Sequence, residues 1–448
     1  MAQTSRSADL TSGPMLQKII LFSIPLAASS ILQLLFNAAD VVVVGRFAGS
    51  TALAAVGSNG SLINLLVNLF VGLSLGANVV AARCFGAKDD HGVQDTVQTS
   101  VTLGLVSGVL LAVVGFFAAR GLLELMSCPE DVIDLSALYL KIYFIGMPMT
   151  MLYNFSSALL RAVGDTKRPL YCLAAAGLIN VVLNLVFVIG FSMSVAGVAL
   201  ATIISETVSA CLVTAMLVRE KGALHLDLHK LGFHAGALKQ ILLIGLPAGL
   251  QSTVFSLSNV VIQSAINSFG AAAIAGNTAA ASIEGFATTV SNSISQAALT
   301  FSSQNMGAEK YQRVRRVLAV CLAATLVGGL TLGLLIYAFG TPLLSLFNTD
   351  SEVIANGLIR VSHNMPLYVL FCMQDTFVGQ LRGIGYSLLP TITSLSGICL
   401  LRVVWLYTAF AASPTLDTLY LSYPVSWAAT LAALVVCYAV VVRKLPKA

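Results

Sequence analysis

Charged residues are scarce in this sequence. Asp, Glu, Lys and Arg make up 10% of its 448 residues, whereas soluble globular proteins carry about 25%. Apolar runs such as 97–119, 171–191 and 419–442 reach the about 20 residues that a helix needs to cross a bilayer. Backbone polar groups in hydrocarbon must be satisfied within their own segment, which favours helices. The sequence therefore predicts an all-α polytopic membrane protein.

Motifs for catalysis and for cofactor binding are also missing. The chain has no GxxxxGK[ST] loop, which argues against ATP-driven chemistry, and no HExxH zinc motif. Its eight cysteines are scattered singly without a CxxC pair, so neither a disulfide framework nor a metal site is indicated. We expect no enzyme activity, no resident metal and no cofactor.

Charge clusters and Gly/Pro breaks divide the chain into twelve predicted spans. They are residues 19–44, 53–82, 96–118, 132–158, 169–190, 195–218, 240–266, 272–303, 314–340, 353–381, 388–411 and 418–442.

Lysine and arginine are distributed unevenly between the two sides of these spans. With a cytoplasmic N-terminus, 19 of the 24 basic residues fall on that side. The other side keeps Arg46, Arg120, Lys141 and Arg360, and Arg402 falls within a span. The positive-inside rule then predicts that both termini are cytoplasmic. The net charge of +5 reflects this topology, and no nucleic-acid binding is expected.

The two halves of the chain resemble each other. Pro25 and Asn37 recur as Pro247 and Asn259, both shifted along the chain by the same distance. Other blocks recur with an offset that is shorter by a single position, including 161–164 at 382–385. The pattern predicts two parallel six-helix repeats, with domains 1–218 and 240–448 and a cytoplasmic linker 219–239. Transporters place sites at such repeats; the alternative is a duplication kept only for packing.

Four carboxylates fall inside predicted spans: Asp40, Glu206, Glu284 and Asp375. Each costs at least about 2.5–3.5 kcal/mol at a helix centre, so such residues often mark an ion or proton path. For Asp40 the alternative is a side chain that reaches water at the outer interface. For Glu206, packing or pairing is an equal alternative.

Neutral polar residues accompany Asp40 in the first half. Asn180 and Asn184 share one helix face at i, i+4 spacing, with Asn154 and Thr202 on neighbouring spans. This group predicts a coupling site, where oxygens hold either a protonated acid or Na⁺. The alternative is hydrogen bonding that only joins helices.

The second half has its own polar set, for which we expect ion or substrate binding: Glu284, Asp375, Gln251 and Asn259. Structural pairing of the acids with Arg402 is the alternative. Further residues are candidates for an adaptable cavity wall, although ordinary packing explains any one of them equally well. These are Asn37, Phe36, Tyr139, Met147 and Phe255.

Several motifs together resemble the multidrug and toxic compound extrusion (MATE) family over essentially the whole chain. They are Pro25 with Asn37–Asp40, Gly86-Ala87-Lys88, Leu160–Lys167 with Pro169, Asn180 with Asn184, 304–308 and 381–385.

The resemblance implies two lobes and export of cationic or amphipathic drugs in exchange for H⁺ or Na⁺. In the DinF-like branch it implies that Asp40 carries the ion, with Asn154, Asn180 and Thr202 as neighbours. A second acid often found in that cluster is Asn184 here, and an acid of the NorM-like branch falls near Phe255. We expect a monomer in a bacterial cytoplasmic membrane.

Two other functions stay open from the residues. A flippase for lipid-linked saccharides would show a cationic cavity, whereas four intramembrane acids here face only Arg402. A non-transporting receptor or channel is disfavoured because the two halves both carry buried acids.

Overall fold

The computed structural model describes residues 9–126 and 128–446, and these contain helices and no strand. The helices form twelve spans, which we number α1 to α12 in chain order. Their bounds are Met15–Phe47, Ser50–Gly86, Asp90–Leu125, Glu130–Ile145 continued by Met147–Ala162, Lys167–Gly190, Ser194–Arg219, Ala235–Asn267, Ala271–Gly307, Tyr311–Ala338, Ser351–Asn364 continued by Tyr368–Ile384, Leu388–Phe410, and Leu416–Arg443.

Each of the twelve predicted spans coincides with a helical span, and the ends differ by up to seven residues. Helices extend beyond the apolar runs into polar residues. The start of α3, for example, is capped by Asp89, whose side chain accepts a hydrogen bond from the Gly92 backbone N–H. Within the described residues, nine helices are long and apolar enough to cross a membrane, or ten with the bent α4. The spans α8 and α10 are not among them, because they carry many of the polar residues that the protein interior buries.

The internal repeat is visible in the backbone angles. Left-handed φ values occur at matched positions of the two halves with one constant offset, and non-glycine residues pay a steric cost there. The pairs are Gly49 and Gly270 (89° and 91°), Lys88 and Glu309 (57° and 56°), and Gly164 and Gly385 (85° and 111°). The connections between spans are therefore built alike in both halves.

The described chain forms two compact units. Of the described residues, the first unit comprises residue 9 with 28–249, and the second comprises 10–27 with 250–446. Each division falls two residues after a matched proline, Pro25 in α1 or Pro247 in α7. The starts of α1 and α7 thus belong to a different unit from the rest of each helix. The predicted lobe limits at 218 and 240 remain a prediction.

Small residues let helices approach closely within the first unit. A Cβ added to Gly72 would lie 2.3 Å from the Gly249 backbone, and one added to Gly76 would lie 2.4 Å from a backbone oxygen of α7. In the second unit the start of α1 packs differently: Phe22 stacks edge-on against Phe301 at 5.6 Å. Both arrangements bury the start of a helix within its own unit.

Candidate functional site

The polar cluster of the first unit gathers around Asp40. The side chain of Asn184 donates one hydrogen bond to the Asp40 carboxylate and another to Asn180 Oδ1 at 3.1 Å. Asn180 in turn donates to the Thr202 hydroxyl at 3.5 Å. Because Asn180 and Asn184 lie one turn apart on α5, both reach the same point between α1 and α6. We call Asp40, Asn180, Asn184 and Thr202 the first-unit cluster.

This cluster holds a buried carboxylate without a basic partner. Asp40 is 9% exposed, and no Lys, Arg or His in the described part of the chain forms an ion pair with it. The buried Oδ1 of Asn184 also has no hydrogen-bond partner among the described residues. A carboxylate beside neutral amide and hydroxyl oxygens can exchange a proton or a small hard cation without first breaking a salt bridge.

Asn154 does not join this cluster as predicted. Its side-chain N–H donates to the Thr150 backbone carbonyl of its own helix at 3.0 Å. Thr150 instead donates its hydroxyl proton to Glu206, whose carboxyl group interacts electrostatically with Asp40. Glu206 was not predicted to belong to this group. The i, i+4 spacing of Thr202 and Glu206 on α6 is the signal that would have linked this second acid to the cluster.

The predicted wall residues of the first half have different surroundings. Tyr139 is buried and stacks on Tyr143 with ring centroids 6.1 Å apart. Phe36 lies so close over Gly177 that an added Cβ would meet it at 1.7 Å. Asn37 is exposed. Met147 is fully buried in an apolar cluster, so it makes ordinary packing contacts here, and its role in a cavity wall stays a prediction.

The predicted polar set of the second half divides into two groups. Glu284 and Asn259, together with Phe255, line a cavity of about 370 Å³. Gln251 lies elsewhere and accepts a hydrogen bond from Arg382 at 2.8 Å. Asp375 interacts electrostatically with the same arginine.

The cavity contains an ion pair that sequence reasoning missed. Arg360 donates from Nε and Nη2 to the two carboxylate oxygens of Glu284, at 3.0 and 2.5 Å. Its Nη1 donates to Asn277 Oδ1 at 2.5 Å. Asn364 adds a further hydrogen bond to Glu284 at 3.0 Å. Buried ion pairs need such saturation, because desolvation otherwise exceeds the Coulombic gain.

This ion pair bears on two points of the sequence analysis. Arg360, which the sequence places within the predicted span 353–381, is a buried residue of the helix Ser351–Asn364. Glu284 does have a basic partner, but this partner is Arg360 and not Arg402. The acidic balance that disfavoured a flippase is accordingly smaller than the sequence indicated.

Arg402 lies in the same cavity with a different set of contacts. Its Nε donates to the Ser426 hydroxyl at 3.0 Å, and its guanidinium carbon lies 4.0 Å from the centroid of the Tyr423 ring. Arg360 faces that ring too, at 5.4 Å. Two guanidinium groups thus share one aromatic ring, while only Arg360 has a carboxylate partner among the described residues.

Comparison with known proteins gives a consistent result. The family model described as MatE matches residues 25–186 and 247–408, so its two matched stretches begin at Pro25 and Pro247, the matched prolines of the internal repeat. Together they cover well over half of the chain. This confirms the internal repeat.

Individual relatives match over most of their length. The "Probable multidrug resistance protein YoeA" of Bacillus subtilis is 31% identical over 387 residues, which cover 84% of this chain and 83% of that protein. The "FAD transporter" of Shewanella oneidensis is 24% identical, over 77% of each.

Solved structures share the fold. A structure described as the outward-facing conformation of a multidrug resistance MATE family transporter of the MOP superfamily has a TM-score of 0.93, with 21% identity over all of both chains. These relatives are transporters and not enzymes. The chain belongs to the MatE family of multi-pass membrane transporters, known as the multidrug and toxic compound extrusion family.

Proposed function

We propose that this chain is a secondary active antiporter that exports organic compounds in exchange for H⁺ or Na⁺, with Asp40 as the ion-carrying residue. The observation that carries the proposal is the buried Asp40 carboxylate, which has the neutral Asn184 of α5 as its hydrogen-bond partner and no basic partner among the described residues. Burying an acid inside the membrane costs free energy, so an acid found there often marks an ion path.

The hydrogen bonds of the cluster suggest how ion binding changes the helix contacts. A charged Asp40 accepts the hydrogen bond from Asn184. A proton on Asp40 turns one of its oxygens into a donor, and the unpartnered Oδ1 of Asn184 is an acceptor in the same cluster. Loading the ion would therefore rearrange the contact between α1 and α5, which is the kind of change that alternating access requires.

The cargo is proposed from the relatives. The name of the Bacillus subtilis relative indicates drug export, so we propose cationic or amphipathic organic compounds as cargo. The name of the Shewanella oneidensis relative gives FAD as its cargo, so the sign of the cargo charge is a separate question. We propose that the chain acts as a monomer in the bacterial cytoplasmic membrane with both termini in the cytoplasm. Arg6 and Lys447, which support that orientation, lie outside the described residues.

A gradient-swap assay tests the coupling. Purified protein in vesicles is given an H⁺ gradient or a Na⁺ gradient, and movement of ethidium is followed by fluorescence. We expect one gradient to drive transport and Asp40→Asn to abolish the response with unchanged expression. Asp90→Asn, which alters an exposed acid of the first unit, is the control and should retain coupling. Normal coupled transport by Asp40→Asn would rule out the proposed ion path.

A further inference from the structure

The cavity of the second unit is lined by both polar and aromatic residues. It lies among α7, α8, α10, α11 and α12 and has a volume of about 370 Å³. The polar lining includes Arg402 and the Glu284–Arg360 pair, and the aromatic lining includes Phe255, Phe371 and Trp427. A pocket of this size, apolar with a few fixed polar groups, is typical of small-molecule sites.

The acid in this cavity is not available to a ligand. Glu284 accepts two hydrogen bonds from Arg360 and one from Asn364. The charges of Glu284 and Arg360 therefore cancel, and the Nη1 of Arg360 donates a hydrogen bond to Asn277. An organic cation entering the cavity would find that the one carboxylate among its described lining residues is already neutralised.

Arg402 supplies the charge that remains. It is 5% exposed, and within the described part of the chain it forms no ion pair; only its Nε has a hydrogen-bond acceptor, Ser426. A guanidinium group cannot lose its proton in a protein, and a buried charge without a partner is strongly unfavourable. The Tyr423 ring offsets part of that cost, and it holds the guanidinium plane in place.

We propose that this cavity binds an amphipathic organic anion. A carboxylate, sulfonate or phosphate group accepts two parallel hydrogen bonds from the Nη1 and Nη2 edge of Arg402, the geometry that guanidinium favours. The apolar part of the ligand packs against Phe255, Phe371 and Trp427. The inference rests on the proposed function only in treating the bound anion as cargo, since binding itself needs no gradient.

A series of ligands with one shape and different charges tests this proposal. The ligands are 2-naphthoate, neutral 2-naphthamide and cationic 2-naphthylmethylamine, and binding to the purified full chain in detergent is measured by equilibrium dialysis. We expect naphthoate to bind about tenfold or more tightly than the amide, the factor typical of a charged hydrogen-bonded pair. The amine should bind most weakly, because the free charge in the cavity is positive.

Variants locate the binding charge. Arg402→Gln should weaken naphthoate binding about tenfold or more while leaving amide binding nearly unchanged. Arg402→Lys keeps the charge but not the two-pronged geometry, so it should fall between. Arg316→Gln is the matched control, since Arg316 is an exposed arginine of the same unit, and it should bind like the parent.

A second measurement keeps the test valid if the arginine variants misfold. It uses tryptophan fluorescence in a protein that keeps Arg402. The chain has two tryptophans, and Trp427 lines the cavity while Trp405 does not. In Trp405→Phe, naphthoate should quench the remaining tryptophan fluorescence with the affinity found by dialysis, and the amine should not.

Three results would overturn the inference. The first is tighter binding of the amine than of naphthoate, and the second is unchanged naphthoate binding by Arg402→Gln. The third is an equal loss of affinity for all three ligands in Arg402→Gln, which would make Arg402 a packing residue. Failure of the antiport proposal looks different. There, naphthoate binds as expected but no gradient moves any substrate, and Asp40→Asn behaves like the parent.

Discussion

The two units bury charge in different ways. The first unit holds Asp40 with a hydrogen bond from the neutral side chain of Asn184, whereas the second unit neutralises Glu284 with Arg360. A carboxylate with neutral partners can change its charge without leaving another buried charge unpaired. A carboxylate that is paired with an arginine cannot, because the buried guanidinium would lose its counter-ion. The comparison teaches that an acid inside a span is not by itself an exchange site.

Glu284→Gln should have the largest effect on stability. It leaves the Arg360 charge buried without its partner, and breaking a buried pair in this way costs about 3–5 kcal/mol. Asp40→Asn removes a charge that has no counter-ion, so we expect a change below about 1 kcal/mol. The free energy of unfolding in mixed micelles measures both. The double variant Glu284→Gln/Arg360→Gln should recover most of the loss, and a single loss as small as that of Asp40→Asn would show that the units do not differ.

Asn184→Ala should have the next largest effect. It removes the hydrogen bond to Asp40, and bonds to charged groups contribute about 1.5–3 kcal/mol. Asn154→Ala removes only a bond to a backbone carbonyl of its own helix and should cost less than about 1 kcal/mol. The same unfolding measurement compares the two amides. Equal costs would mean that Asn184 does not stabilise a charged Asp40.

Gly72→Ala should destabilise the first unit by about 1–3 kcal/mol, the range for overpacking, because the new methyl would meet the Gly249 backbone. The matching position in the second unit is Ser293, at the same offset that relates Lys88 to Glu309. Its hydroxyl donates to the Thr289 carbonyl of its own helix, so Ser293→Ala should be tolerated within about 1 kcal/mol. Melting temperatures of the two variants provide the measurement, and the reverse order would contradict the glycine contact.

Lys88→Gly and Glu309→Gly should have the smallest effects and should agree with each other. Both residues have left-handed φ values, 57° and 56°, which only glycine adopts without strain. Each change should raise the free energy of unfolding by about 0.5–1 kcal/mol. Ala87→Gly, at a φ of −74°, is the control and should give no gain. Unequal gains at 88 and 309 would show that the matched connections are not energetically alike.

The sequence predicted the spans well because the thickness of the bilayer sets the length of the apolar runs and its two sides differ in lysine and arginine content. It predicted most of the first-unit cluster because Asn180 and Asn184 stand one helical turn apart. It did not reveal the role of Arg360, although that residue lies within the predicted span 353–381. Its partner Glu284 is 76 residues away in the chain, and no local pattern signals that pairing.

The division of α1 after Ala27 has a consequence for how the protein is made. Phe22 packs against Phe301 in the second unit, so the start of α1 is synthesised well before the residues that bury it. At about 5–20 residues per second, the wait is tens of seconds. During that time the nascent chain carries an apolar segment whose partner does not yet exist. The insertion machinery or lipid must cover it until then, so correct packing of the start of α1 depends on the later synthesis of α8.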